Sequence, residues 1–174
     1  MEQSIKSISS NLGLNLGLIL TAITVLTYAI NLELIPNLNL VNFLLTITFG
    51  VISIKKNKAV LGGLIDFKSA FTSFFITTSI GIGIIALSTI IIFNIIDVDS
   101  ANILNEKVMQ MQKERMIKFG VGEDMILENM EKLKEINNFS ISTQIQGGVF
   151  YIAFISLIGL VVSAIMKKSN ANQI

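Results

Sequence analysis

Four long apolar stretches, separated by short polar blocks, dominate the chain. They cover residues 12–30, 38–54, 76–96 and 147–166, and no charged side chain interrupts any of them. An α-helix rises about 1.5 Å per residue, so stretches of this length match the roughly 30 Å hydrocarbon core of a bilayer. The pattern therefore predicts an all-α fold, a four-span transmembrane helical bundle. The second stretch is the shortest, and a three-span protein is the alternative if that stretch only enters the interface.

The starts of the first and third spans each leave a choice open. The uncharged run before the third span begins at Ser69, and we expect residues 69–75 to lie in the interface rather than to cross. A cleaved signal peptide competes with the first span, because Lys6 precedes an apolar run and residues 27–29 loosely resemble a cleavage site. The apolar run is longer than a usual signal core, so we expect a retained span.

Residues 97–146 differ in kind from the spans. They hold nine acidic and six basic residues, and their apolar positions recur at helical spacing. The pattern predicts helices over 100–119 and 123–137, separated by a glycine-containing turn at 120–122. The apolar stripe of the first helix should face that of the second, which gives an amphipathic helical hairpin; the stripes are Leu104, Val108 and Met111, and Ile126, Met130 and Leu133.

The distribution of lysines predicts the orientation. Basic residues in short loops favour the cytoplasmic side. If the N-terminus is cytoplasmic, the short cytoplasmic segments carry seven lysines and the short outer link carries none; the seven are Lys6, Lys55, Lys56, Lys58, Lys68, Lys167 and Lys168. The prediction is that both termini are cytoplasmic and that 97–146 is extracytoplasmic.

The amino-acid composition excludes the most common kinds of catalytic and metal-binding site. The chain is 52% hydrophobic and 14% charged, with no cysteine, no histidine and a net charge of +1. Thiolate and imidazole catalysis and the commonest metal ligands are therefore excluded, and nothing favours a nucleic-acid partner. Asp97 and Asp99 could begin a calcium loop, but helix capping by Asp99 or Ser100 explains these residues with fewer requirements. We expect no enzyme activity, no cofactor and no metal.

Small residues in the spans are the candidate positions for helix packing, because they let helices approach closely. They are Gly13, Gly17, Ser79, Gly83, Ser156, Gly159 and Ser163. Asp66 and Lys68, beside Gly62-Gly63 at the start of the third span, are candidate interfacial residues. The many threonines of the spans could line a polar pathway, although such hydroxyls usually bond to their own helix backbone.

The layout of these segments resembles a known family of small bacterial membrane proteins, the domain of unknown function numbered 4199. The segments that carry the resemblance are Gly62-Gly63-Leu64-Ile65-Asp66-Phe67-Lys68-Ser69-Ala70-Phe71, Ile95-Ile96-Asp97 and Gly120-Val121-Gly122-Glu123-Asp124. Val98 stands where many members of the family have proline. The resemblance covers nearly the whole chain and implies the bacterial cytoplasmic membrane, but it brings no activity.

The sequence thus favours a non-enzymatic envelope protein with structural or interaction roles. Its partners would be the lipid bilayer and an envelope protein bound through 97–146; the alternative is that 97–146 lies on the lipid surface. The alternative is a small transporter or channel component. A homo-oligomer is compatible with the sequence, which gives no support for one.

Overall fold

The computed structural model of the chain describes residues 2–134 and 136–168. Six α-helices make up most of it: α1 (Glu2–Ile30), α2 (Asn39–Val60), α3 (Phe67–Ile91), α4 (Val98–Lys118), α5 (Glu123–Lys134) and α6 (Ile141–Met166). A 3₁₀ segment, Leu32–Leu38, joins α1 to α2, and a π-helical turn, Ile92–Ile96, extends α3. In the described ranges, β pairing is confined to one antiparallel bridge between Ile65 and Lys168.

Four helical segments are long and apolar enough to cross a membrane. They are Gln3–Ile30, Leu34–Val60, Phe67–Ile96 and Ile141–Met166. Apolar side chains cover their outward faces, as a lipid environment requires, while small and polar residues turn inward. The prediction of an all-α chain with four helices able to span a membrane is confirmed.

Each of these helices is longer than the apolar stretch that indicated it. α1 begins ten residues before Leu12, and Ser9 in that extension is fully buried. α2 continues through Lys55, Lys56 and Lys58 to Val60. α3 runs unbroken from Phe67, and Phe74 in its second turn is fully buried in the bundle. Residues 69–75 are therefore helical and packed into the bundle, and their interfacial depth stays a prediction.

The helix α3 lies at the centre of the bundle, in contact with α1, α2 and α6. Contacts between chain ends define the two ends of the bundle. At the lysine end, the end of α2, the start of α3 and the end of α6 meet, as the Ile65–Lys168 bridge shows. At the insert end, the end of α1 meets the end of α3, because Tyr28 bonds to Asp97.

The segment between α3 and α6 is helical, with bounds close to the expected ones. Gly120 ends α4 in the left-handed region, with φ of +71°, where a side chain would be strained. The predicted second helix extended to 137, whereas α5 ends at Lys134 and Glu135 lies outside the described residues. Leu104 differs from expectation: it packs with Phe93 and Ala101 on the bundle. It therefore serves to mount α4 on the spans.

Candidate functional site

The glycines of the first span lie against α3. A Cβ added to Gly13 would stand 2.8 Å from the Cβ of Ile80, and one added to Gly17 would stand 2.5 Å from the Cβ of Ile84. Both distances are far below ordinary carbon contacts of about 3.5–4.0 Å. These two positions therefore set how closely α1 approaches α3.

The small residues of the last span also face the bundle. A Cβ on Gly159 would lie 2.5 Å from the Phe74 ring, and Ser163 is fully buried. Ser156 is half-buried, and its hydroxyl donates to the carbonyl oxygen of Ile152 in its own helix at 2.7 Å. The stripe thus contains one close contact with α3 and two serines with different surroundings.

The third pair of small residues behaves differently. Ser79 is half-buried and its Oγ has no hydrogen-bond partner in the described structure. A Cβ on Gly83 would meet nothing within 4 Å, so its lack of a side chain is not needed for packing. Two glycines that were not singled out do make close contacts: Gly50 against Phe74, and Gly81 against Leu16.

A cluster of polar side chains joins α1, α2 and α3 inside the lysine half of the bundle. We call it the polar cluster; its members, all fully buried, are Ser9, Ser53, Asn57, Ser73 and Thr77. The Asn57 amide nitrogen donates to the hydroxyls of Ser9 and Ser73, both at 2.9 Å. The Thr77 hydroxyl lies 2.8 Å from that of Ser53 and donates to the Ser9 carbonyl at 2.9 Å. Polar groups in an apolar medium need such partners, so the cluster fixes the three helices relative to one another.

The spacing of these polar residues along the sequence indicates the cluster, although it was not among the predictions. Ser53 and Asn57 are four residues apart in α2, and Ser73 and Thr77 are four residues apart in α3. Residues four apart lie on one helix face, so each helix carries a short polar face within an apolar span. Two such faces in lipid are expected to face each other.

The remaining buried threonines bond to their own helices. Thr24, Thr46 and Thr78 each donate to the carbonyl four residues earlier, at 2.9, 2.7 and 3.0 Å. These hydroxyls satisfy local backbone oxygens, as is common in membrane helices.

The loop at the lysine end is held by backbone and side-chain contacts. Gly62 and Gly63 adopt φ of +73° and +87°, which allows the chain to reverse after α2. Ile65 and Lys168 exchange two backbone hydrogen bonds of 2.9 and 2.8 Å. The Lys58 ammonium donates to the Met166 carbonyl at 3.0 Å, near the negative end of the α6 dipole. This loop therefore fastens the end of α6.

The two interfacial candidates have distinct surroundings. Asp66 caps α3: its carboxylate accepts from the Ser69 N–H at 2.9 Å and from the Ser69 hydroxyl at 2.8 Å. These bonds, the backbone one first, lower the pKa of Asp66 below its ordinary value. Lys68 is exposed in the first turn of the same helix.

A second network, which we call the junction, fixes α4 on the insert end. Asp97 caps α4 and accepts from the Ser100 N–H at 3.0 Å. The hydroxyls of Tyr28 and Ser100 each donate to its other oxygen at 2.5 Å. The bonds from the Ser100 hydroxyl, then from Tyr28, hold the pKa of Asp97 below its usual range. Asp97 is thus the N-cap of α4, two or three residues before the cap that the sequence predicted at Asp99 or Ser100.

Aromatic and amide contacts complete the junction. The Phe93 ring packs edge-on against those of Tyr28 and Phe139, with centroid distances of 6.2 and 5.2 Å. The Asn94 amide donates to the Phe139 carbonyl at 2.9 Å. The junction therefore ties α3, α1 and the start of α6 to one point.

Asn105 attaches the far end of the insert. Its amide oxygen accepts from the backbone and side chain of Asn138, at 3.0 and 2.7 Å. The chain that leaves α5 is therefore held against α4. A flexible tether would have no such attachments.

Comparison with known protein families identifies a match. A family model described as "Protein of unknown function (DUF4199)" matches residues 11–168. No curated protein and no solved structure matches the chain.

Proposed function

The chain belongs to the DUF4199 family of proteins of unknown function, and because membership brings no activity, we propose a function from the geometry of the molecule. It is a non-enzymatic, multi-pass protein of the bacterial cytoplasmic membrane. The four spans hold it in the bilayer. Segment 97–146, on the extracytoplasmic side, presents a fixed helical surface to another protein of the envelope.

The junction is the observation that carries this proposal. The Asp97 cap, its bond from Tyr28 and the Phe93 aromatic contacts all restrain the base of α4. Asn105 and Asn138 restrain the exit from α5. Binding to a pre-ordered surface avoids the entropy of ordering a flexible one, so such restraint supports a recognition role.

The tip of the insert supplies the surface. Ile117 and Leu127 line one depression between α4 and α5, and their side chains are 57% and 66% exposed. Phe119, at the end of α4, is 81% exposed. Clustered exposed apolar side chains outside the membrane usually mark an interaction site, because water disfavours them.

The non-enzymatic part of the proposal rests on chemistry. The chain has no histidine and no cysteine. The carboxylates of Asp66 and Asp97 act as helix caps, and their lowered pKa values keep them ionised and unsuited to general acid catalysis at neutral pH. Covalent hydrolase probes should leave the purified protein unlabelled, and labelling at one serine would contradict this.

Reporter fusions test the orientation that the lysines support. Fusions at Asn37 and Asn138 should report an external location, and fusions at Lys58 and Lys168 an internal one. A cytoplasmic signal at Asn138 would overturn the extracytoplasmic placement of the insert.

Photo-crosslinking in intact cells tests the interaction role. A photoreactive amino acid at Phe119 or Leu127 should trap one recurrent envelope protein. The same amino acid at Lys132, an exposed residue paired with Glu128 at 2.7 Å, serves as the matched control and should not. Crosslinks from Phe119 to lipid alone would contradict the proposal, because the tip would then lie on the membrane.

A further inference from the structure

A groove opens between α2, α3 and α6 at the insert end of the bundle. It has a volume of about 420 Å³. Asn39 and Gln144, in the first turns of α2 and α6, line it toward the end of the bundle, whereas Leu20 and Ile82 line it toward the middle. The lining thus combines polar side chains of α2 and α6 with apolar side chains of α1 and α3, and Thr46 and Tyr151 continue the polar part beyond the first helical turns.

Two glycines of α6 leave this groove open. A Cβ on Gly147 would meet nothing within 4 Å, and one on Gly148 would meet only Ala86, at 3.9 Å. Gly159, further along the same helix, differs from these two glycines, because the Phe74 ring of α3 fills the space that its side chain would take. At the groove no protein side chain takes the space.

Two polar side chains that line the groove have unused hydrogen-bonding groups. The amide oxygen of Asn42 is buried without a hydrogen-bond partner in the described structure, and the buried hydroxyl of Tyr151 lies near the Thr46 side chain but makes no hydrogen bond of normal geometry. Asn57, Ser79 and Ser163 also carry a buried group without a partner in the described structure, but only Asn42 and Tyr151 of this set line the groove, where a bound molecule could supply partners for both. The residues lining the groove carry no charge.

We propose that this groove binds a neutral, single-chain lipid with a free hydroxyl head, of the monoacylglycerol class. A hydroxyl both donates and accepts, so it can serve an amide oxygen and a tyrosine hydroxyl together. It also serves the Asn42 amide in either of its two orientations. An uncharged lining disfavours an ionic head, which would be buried without a counter-charge.

The size of the groove selects one chain rather than two. Ligand pockets usually enclose roughly 300–1,000 Å³, and this groove lies near the lower limit. The acyl chain would lie along Leu20, Ile82 and Ile85, with its head toward the start of α2. The inference is independent of any partner of segment 97–146.

Photolabelling of the native protein in lipid nanodiscs tests the proposal. The probe is a monoacylglycerol with a diazirine in its acyl chain, and labelled peptides are identified by mass spectrometry. Labelling should saturate, map to α2 and α6 around the groove, and be competed about tenfold better by monoacylglycerol than by lysophosphatidylcholine of equal chain length. Equal competition by the two lipids, or labelling spread over all spans, would overturn the proposal.

Matched variants locate the site. Tyr151→Phe should reduce apparent affinity roughly three- to tenfold, the effect of one hydrogen bond. Gly148→Leu should fill the groove and abolish saturable labelling. Gly83→Leu is the control, because its position also has open space but does not line the groove. If Gly83→Leu lowered labelling as much as Gly148→Leu, the site would be refuted. If a variant does not give the wild-type circular dichroism spectrum, the competition between the two lipids on the native protein decides the question.

Discussion

One aromatic ring of α3 lies between glycines of two neighbouring helices, one of them in the last span. Phe74 of α3 is fully buried, with Gly50 of α2 on one side and Gly159 of α6 on the other. We predict that Gly159→Ala destabilises the bundle. The added Cβ would lie 2.5 Å from Cδ1 and 2.8 Å from Cε1 of Phe74, about 1 Å inside normal carbon contact.

The magnitude follows from the lack of an escape route for the ring. Retreat from α6 would press Phe74 onto Gly50, where an added Cβ would clash just as closely. Overpacking of this kind costs about 1–3 kcal/mol. Alanine also favours a helix over glycine by up to about 1 kcal/mol, which would hide part of the loss.

Gly83→Ala isolates the strain, because it gains the same helix preference with nothing within 4 Å. Unfolding in mixed micelles, followed by circular dichroism, should place Gly159→Ala about 1–3 kcal/mol below Gly83→Ala. In a Phe74→Leu background the difference should largely disappear, which is the coupling expected of residues in contact. Equal stability of the two alanine variants would show that Gly159 does not receive the Phe74 ring.

Three further predictions concern the polar networks. Asn57→Leu removes the amide that bonds to Ser9 and Ser73 and should lower the free energy of unfolding by about 1–3 kcal/mol. Ser156→Ala is the control, because the Ser156 hydroxyl bonds to its own helix, and it should change the free energy of unfolding by less than about 0.5 kcal/mol in the same assay. Tyr28→Phe should speed limited proteolysis within 98–134 while the spans stay protected, and unchanged cutting would refute the role of the junction. Because folding lowers the pKa of Asp97, its stabilising effect should be complete above about pH 4 and fade as pH falls through the lower folded value. The stability difference between wild type and Asp97→Asn should therefore shrink only in acid, and a constant difference would contradict this.

Hydrophobic patterning located the spans because a lipid-facing position requires an apolar side chain whichever helices lie beside it. It underestimated the length of the helices at their polar ends. The exposed Lys55 and Lys56 can extend their charges toward water while their backbone remains helical, and Lys58 bonds to the Met166 carbonyl. Hydropathy also did not reveal that Phe74, near the start of α3, fits between glycines of two other helices. Such fits depend on which helices become neighbours.

The sequence did not predict which helix each residue of the insert, or each small residue of the spans, would contact. Leu104 belongs to a stripe that suits either α5 or the bundle, and the aromatic side chains of Phe93 and Phe139 bind it to the bundle. Gly17 and Gly83 look alike in sequence, yet a Cβ added to Gly17 would clash with Ile84, whereas one added to Gly83 would meet nothing within 4 Å. Glycine permits close approach, but the partner helix decides whether the approach occurs.

The polar cluster has a consequence for how the protein is made. All five of its side chains belong to α1, α2 and α3, so none of them awaits α6 for a partner. A ribosome delivers these three helices to the membrane first, and their hydroxyls and amide can pair before the rest of the chain is translated. The last helix then has only to close over Phe74 and fasten its end through Lys168. Biogenesis can thus proceed through a three-helix intermediate in which every cluster bond is already made and, within the described cluster, only the Asn57 amide oxygen lacks a partner, followed by late docking of α6.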